Sequence, residues 1–282
     1  MTAPPSATVV IPSRDRPASL RRCLDALERQ TNTSFEVVVV DDASVDPRAV
    51  RDVVDRSDRA RLTVGEGRGP AAARNAGARA ANGRVLCFTD DDCRPGPTWV
   101  DALVGRIVDG ATAVAGPTRN GRPDDAYATA AQTVTNHLTD QSFDATVGHV
   151  GFAPTSNLAM TAALHRALPF DETFPLAAGE DRDWCDRLAA RGDTIAFAPT
   201  AWVDHHPDLG LAGFWRQQLR YGRGSQHLRG RSDGAGMQPP RFYADLVRAG
   251  FRQGPAVGAL VVLAQGATAL GVAAELRTQR RR

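Results

Sequence analysis

The chain contains no lysine; all 34 of its basic residues are arginine. This absence excludes a P-loop lysine and a Schiff-base lysine, and leaves arginine to make any bidentate clamp on phosphate. Cysteine is scarce. Cys23, Cys87, Cys93 and Cys185 show no CxxC spacing, which excludes a disulfide-rich scaffold and suits a reducing, cytosolic compartment. Excess charge is nearly absent too, since 34 basic residues against 32 acidic ones leave +2. That balance gives no reason to expect a nucleic-acid partner. Residues 1–6 are rich in Pro and Ala and lack a basic segment followed by an apolar one, which argues against a signal peptide. No GxGxxG follows the first apolar run, so a dinucleotide oxidoreductase is excluded. Repeats and low-complexity segments are missing as well. What is present is 282 residues, 42% of them apolar, enough for one large α/β domain or two small ones.

Residues 8–12 read as a short buried strand. Pro17 opens a helix with Leu20, Cys23, Leu24 and Leu27 on one face, the spacing of an amphipathic helix. Residues 35–40 (FEVVVV) are a nearly continuous β-branched run, the pattern of a strand covered on both faces. A helix over 48–56, a strand over 61–64, a loop over 65–70, a helix over 71–81 and a strand over 85–89 follow. Such alternation with short connections predicts a doubly wound, mostly parallel sheet with helices on both faces. Further on, the pattern predicts helices over 97–108, 127–138 and 181–190, and strands over 112–116, 155–160, 194–198 and 201–203. After Leu211 the chain turns helical, with Phe214, Trp215, Leu219 and Tyr221 as an apolar side, and residues 230–240 read as a linker.

Ligands of doubly wound sheets bind at the carboxyl ends of the strands. Pro12-Ser13-Arg14-Asp15, Asp41-Asp42 and Asp90-Asp91-Asp92 all fall at such ends. Three successive carboxylates repel one another and lose hydration unless a cation or donor compensates. Mg²⁺ or Mn²⁺ carrying a diphosphate does so with one or two protein carboxylates; a solvated acidic turn is the alternative. Gly69 before a helix that carries Arg74 one turn in makes an anion site, or else an ordinary Ala-rich helix with Arg74 in water. In Gly179-Glu180-Asp181-Arg182-Asp183, acids begin a helix whose Trp184 and Leu188 must bury. A carboxylate held rigidly there could serve as a general base. His205 and His206 follow a strand, and a neutral imidazole can complete a metal's coordination; His205 is the better candidate.

In chain order, Val9-Val10-Ile11-Pro12-Ser13, Val39-Val40-Asp41-Asp42-Ala43-Ser44, Ala73-Arg74-Asn75-Ala76-Gly77, Phe88-Thr89-Asp90-Asp91-Asp92, Phe170-Asp171-Glu172 and Gly179-Glu180-Asp181-Arg182-Asp183 form an ordered set. The set resembles the family 2 inverting glycosyltransferases, which have the Rossmann-like GT-A fold, across roughly residues 7–206. The resemblance implies a bacterial hexosyltransferase-type enzyme that moves a sugar from a UDP-, GDP- or dTDP-sugar to a hydroxyl acceptor with Mg²⁺ or Mn²⁺. The acceptor would be an envelope glycan, a lipid-linked group or a small molecule. Pro12, Ser13 and Asp15 would line the base pocket, with Asp41 or Asp42 on the base. Gly69 and Arg74 would lie near the nucleotide, Asp90 and Asp91 near ribose and phosphate. Asp92, with His205, would hold the metal, Asp181 would be the base, and Asn157, Glu180 and Trp184 would face the acceptor. Asp15 stands where members often have Asn, and Arg14 where they often have a neutral residue, so donor choice is not transferable. No Gln-x-x-Arg-Trp motif occurs near the C-terminus, which argues against a processive synthase.

The organisation expected is a transferase domain over 1–206, with a nucleotide-binding half over 7–110 and an acceptor half over 111–206, then a helical extension over 207–282. Arg119, Arg122, Tyr127, His137 and His149 are the polar handles for an acceptor. A helix over 254–276 contains 21 uncharged residues (254–274), with Arg248 and Arg252 before it and Arg277, Arg280, Arg281 and Arg282 after it. Three placements fit: a bilayer span, a helix in the interface of an anionic membrane, or a helix packed on the enzyme or in a homodimer. Membrane contact would put the enzyme at the inner face of the cell membrane. Two rival functions remain: a nucleotidyltransferase, although the first strand is not followed by a glycine-rich loop, and a nucleotide-sugar-binding protein without turnover.

Overall fold

The computed structural model describes residues 5–174, 178–229 and 238–279. Residues 1–4 of the N-terminal segment, 230–237 of the linker, and Arg280, Arg281 and Arg282 lie outside them. The first half alternates β1 (Ala7–Ser13), α1 (Pro17–Leu27), β2 (Phe35–Asp41), α2 (Pro47–Val54), β3 (Ala60–Val64), α3 (Pro70–Ala80) and β4 (Val85–Phe88). Local chemistry sets several of these boundaries. Pro17 starts α1 where its missing N–H costs nothing. The Asp46 side chain accepts from the backbone N–H groups of Arg48 and Ala49, which caps α2. The valine run of β2 divides by parity. Val37 and Val39 pack with Leu20 and Val50 on one face, and Val38 and Val40 pack with Ala73 on the other. A residue repeat of two sends neighbours to opposite faces, so a strand covered twice is apolar on both faces through its middle, Val37 to Val40.

The second half holds β5 (Cys93–Pro95), α4 (Trp99–Val108), β6 (Ala113–Ala115), β7 (Thr118–Asn120), α5 (Ala126–Gln141), β8 (Phe143–Asp144), β9 (His149–Val150), β10 (Leu158–Thr161), α6 (Ala162–Ala167), α7 (Glu180–Ala190), β11 (Ile195–Phe197) and β12 (Val203–His205). The main sheet runs β3-β2-β1-β4-β10-β6-β11-β9-β8. The strands β1 to β4 are mutually parallel, and β10 lies antiparallel between β4 and β6. A second sheet, β5-β12-β7, begins directly after Asp92.

Two expected strands are displaced. Residues 155–160 are not one strand: Thr155–Asn157 form a 3₁₀ turn, and β10 begins at Leu158. Asn157 explains the break. It is fully buried, accepts from Trp99 Nε1 (2.8 Å), and donates to the carbonyls of Pro117 (3.0 Å) and Ala201 (2.8 Å). The strand expected over 201–203 lies at Val203–His205, where it pairs with both β5 and β7, so His205 is within a strand rather than after it.

The extension consists of α8 (Leu211–Arg229), α9 (Pro240–Arg252) and α10 (Pro255–Gln279). It shares a core with α5, in which Ala130 and Ala131 meet Phe214, Phe242, Leu246 and Val261. The helices α8 and α10 approach very closely. A Cβ added at Gly222 would lie 2.0 Å from the Thr268 carbonyl oxygen, and one at Gly271 would lie 2.1 Å from that of Leu219. We therefore expect Gly222→Ala to lower stability by about 1–3 kcal/mol, the usual cost of overpacking. A reduced urea midpoint would report it; an unchanged midpoint would show that the two helices can separate freely.

Candidate functional site

The parallel register of β1 with β4 places Val10 beside Phe88, so the chain leaving each strand emerges at the same edge. There Ser13 Oγ donates to Asp91 Oδ2 (2.8 Å). From β2, Asp41 accepts from the Ser44 N–H (3.0 Å). Asp42 accepts from the N–H groups of Gly67 and Gly69, both at 2.9 Å. Asp42 thus ties down the loop that leads into α3, and Gly69, with φ 95°, caps that helix. Asp15 has φ 57°, rare for a non-glycine residue, and its carboxylate accepts from the Val45 N–H (2.7 Å). The expected donor-side residues Pro12, Ser13, Asp15, Asp41, Asp42, Gly69, Arg74, Asp90 and Asp91 lie together along this edge.

Arg74 joins the two acidic clusters. It is almost fully buried, and its fork donates to Asp90 Oδ1 (2.7 Å) and to Glu180 Oε1 (3.2 Å). Burial disfavours its charge, but the carboxylates of Asp90 and Glu180 outweigh that and raise its pKa. Arg74 Nε and Glu180 Oε2 are buried without hydrogen-bond partners among the described residues, so polar capacity remains at this junction. Asp181 is next to Glu180 in the first turn of α7, and its Oδ1 accepts from the Arg182 N–H (2.8 Å). Burial, then the neighbouring Glu180 charge, pushes the Asp181 carboxyl up to about 7. A carboxyl poised near neutrality is suited to taking up a proton.

Asp91 is also pushed up to about 7, by burial first, with Arg16 opposing. Asp92 behaves oppositely. Burial works against its charge, yet His205 and Arg16 together hold it below the ordinary carboxylate range. His205 Nε2 lies 3.5 Å from Asp92 Oδ1. Gln132 gives its amide N–H to the Thr118 carbonyl and to Asn136, so its oxygen accepts from His205 Nδ1 (2.9 Å). That bond leaves Nε2 facing Asp92, with a lone pair whenever the ring is neutral. Asp92 Oδ1 is buried and, among the described residues, has no hydrogen-bond partner. A buried carboxylate oxygen met at 3.5 Å by an oriented imidazole, and by no closer donor among the described residues, fits a divalent cation. Among the described residues no three His, Cys, Asp or Glu side chains form a complete cage. Mg²⁺ and Mn²⁺ do not require one, because water and phosphate oxygens fill most of the octahedron.

Two residues expected at the acceptor do not reach the cleft. Asn157 spends its amide on the three buried partners described above, and Trp184 is fully buried with Nε1 bonded to the Leu168 carbonyl (3.0 Å). Glu180 is buried against Arg74. His137 bonds the Phe242 carbonyl (3.1 Å), and His149 lies on β9, near the far margin of the sheet. Arg119 stacks on Trp202 and pairs with Asp204. Arg122 and Tyr127 line an open depression of about 650 Å³ with Asp124, Asp125 and Leu209.

Two residues escaped the sequence reading. Arg16 contacts Asp91 and Asp92; a basic residue shortly after the first strand was its only signal. Tyr221, read as part of an apolar side, lies within the field of Asp181, Glu180 and Asp90, which with burial raises its pKa. The close packing of Gly224 against Ala178 and Gly179 seats α8 there.

Comparison with known proteins identifies the family and the fold. Residues 8–166 match the family model for Glycosyl transferase family 2, and residues 90–271 match that for Glycosyl transferase family group 2. The chain is 30% identical to the pre-mycofactocin glycosyltransferase of Mycobacterium tuberculosis over 221 residues, covering 76% of this chain and 46% of that protein. It is 28% identical to glycosyltransferase AglE of Haloferax volcanii over 227 residues, covering 78% and 73% of the two chains. In fold it is similar to the mannosyltransferase PcManGT of Pyrobaculum calidifontis, solved with GDP-Man and Mn²⁺, at a TM-score of 0.61, 23% identity, and coverage of 99% and 81%. It is also similar to GalNAc-T7 solved with UDP, GalNAc and Mn²⁺, at a TM-score of 0.59, 15% identity, and coverage of 87% and 55%. The chain belongs to glycosyl transferase family 2 and has the GT-A fold.

Proposed function

We propose that the chain transfers a hexosyl group from a nucleoside-diphosphate sugar to a hydroxyl acceptor with inversion, aided by Mg²⁺ or Mn²⁺. The observation that carries this reading is the position of Asp181 at the head of α7, beside Glu180, which Arg74 ties to Asp90 of the acidic turn after β4; burial pushes the Asp181 carboxyl up to about 7. Asp181 takes the proton of the acceptor hydroxyl as its oxygen attacks the anomeric carbon opposite the leaving diphosphate. One displacement from that side inverts the configuration. A single protein carboxyl suffices, because a nucleoside diphosphate needs no protonation to depart, unlike the alkoxide that a glycosidase expels. Asp92 and His205 would hold the cation, which supplies charge to stabilise the departing diphosphate. The two similar structures, each solved with nucleotide or nucleotide sugar and Mn²⁺, support such a donor. The depression beside Arg122 and Tyr127 is the acceptor surface that this reading favours.

The reading includes contact of the extension with an anionic membrane at its inner face. Among the described residues α10 is the one helix long and apolar enough to cross a bilayer. Its outward positions include Ala259, Val262, Gly266, Ala269, Leu270 and Ala273, none of them polar. Residues 207–282 carry twelve Arg against four acids, whereas residues 1–206 carry 22 Arg against 28 acids. An apolar face within a basic segment favours an anionic interface over a neutral one. A lipid-linked or envelope-glycan acceptor would suit that location.

Asp181→Asn should keep nucleotide binding and lose transfer by about 10²-fold or more, the scale of general-base catalysis. Near-normal release of nucleoside diphosphate by this variant would remove Asp181 from the role. In the wild type, kcat/KM should rise with pH through about 7 and then level off, because the base must be ionised to accept the proton. A flat profile across that range would contradict the assignment. The chain should also sediment with phosphatidylglycerol vesicles and not with phosphatidylcholine ones. Equal behaviour with both, or a dimer in solution that hides α10, would oppose membrane docking.

A further inference from the structure

We infer that Arg16 is a built-in cation of the donor site that makes divalent-metal binding conditional on the donor's diphosphate; this rests on the donor and metal reading above. The backbone holds Arg16 in place from both sides. Before it, Asp15 turns the chain in the left-handed region, held by the Val45 N–H on its carboxylate (2.7 Å) and by its own N–H on Ser44 Oγ (2.8 Å). After it, the Arg16 carbonyl accepts from the N–H groups of Ser19 and Leu20 at the start of α1. A left-handed non-glycine residue persists only where its surroundings over-determine it. Here the result is that one guanidinium is delivered onto the acidic turn.

The guanidinium spans two carboxylates. Nη1 donates to Asp92 Oδ2 (2.8 Å), and Nη2 lies 2.7 Å from Asp91 Oδ1. Asp91 is wholly buried while the Arg16 side chain is half-exposed. The outer side of the fork therefore stays open to an incoming ligand. Arg16 occupies one oxygen of Asp92 and leaves the other, Oδ1, facing His205. The candidate metal seat thus has a fixed positive charge on the far side of the same carboxylate.

Two consequences follow from charge alone. A dication entering beside His205 is repelled by Arg16 at close range, in a site where burial weakens solvent screening. A diphosphate relieves that repulsion, since a planar guanidinium with free N–H groups is well matched to phosphate oxygens. Metal and nucleotide then strengthen each other's binding, and the coupling is reciprocal. Arg74, by contrast, is buried with its fork committed to Asp90 and Glu180, so of these two arginines Arg16 is the one able to change partners.

The test is calorimetric titration of the full chain with Mn²⁺ alone, and again with saturating UDP or GDP, for wild type, Arg16→Gln and Arg16→Lys. Arg16→Gln should bind Mn²⁺ alone roughly tenfold more tightly than wild type, as expected when a nearby like charge is removed. The enhancement of Mn²⁺ binding by nucleotide should shrink in that variant. Arg16→Lys keeps the charge and should resemble wild type with Mn²⁺ alone. A merely structural role predicts the reverse, weaker Mn²⁺ binding by Arg16→Gln, and that result, or no change, would overturn the inference. If Arg16→Gln is too unstable to titrate, Arg16→Met is titrated in its place and the same outcomes apply. If neither wild type nor variant binds Mn²⁺ with any nucleotide, the metal reading itself falls and takes this one with it.

Discussion

The structure is organised by the need to hold several carboxylates close together where the central strands end. Asp90, Asp91, Asp92, Glu180 and Asp181 come from two distant segments, and three of them are buried or nearly so. In a low-dielectric setting such a group is stable only if each charge has a partner or is neutralised by a proton. Arg74 serves Asp90 and Glu180, Arg16 serves Asp91 and Asp92, and His205 faces the remaining oxygen of Asp92. Among the described residues no cation pairs with Asp181, and burial with the Glu180 charge moves its carboxyl towards neutrality, as burial does for Asp91 despite Arg16. Burial that compensating charge does not fully offset thereby leaves at the head of α7 a carboxyl suited to proton transfer.

The surrounding elements are arranged to supply those partners. Parallel pairing of β1 with β4 sets Ser13 beside Asp91, and α3 brings Arg74 in from behind the loop that Asp42 anchors. The second sheet carries His205 back to the acid turn, with the His206 N–H bonded to the Asp92 carbonyl (2.8 Å). The helical extension is part of this architecture rather than an appendage. It shares a core with α5, and the glycine contacts of α8 reach the residues just before α7. A change at the α8–α10 contact would be transmitted to the start of α7 through backbone packed on backbone.

Much of the first half was legible in the chain. The β2 valines could only be a strand covered twice, and the acids after β1, β2 and β4 fell at one edge because parallel strands end together. The second half resisted because its strands are two to four residues long and several of them, β10 among them, pair antiparallel. Such short runs carry little periodic signal. Asn157 and Trp184 were misplaced for a related reason. A polar or amphipathic residue in a motif can face a cleft or satisfy the buried backbone beside it, and these two do the latter.

The amino-acid sequence by itself determined the alternating α/β plan, the row of acids at the strand ends, the family, and the dependence on arginine wherever an anion must be met. These follow from residue type and spacing, which local sterics and hydrophobic periodicity translate directly into elements. Only the tertiary structure decided which arginine meets which acid, that Arg16 and Tyr221 approach the site, and that Asp181 rather than Asp92 carries the raised pKa. Charge interactions and desolvation depend on distances of a few ångströms between segments far apart in the chain, and no local pattern encodes those distances.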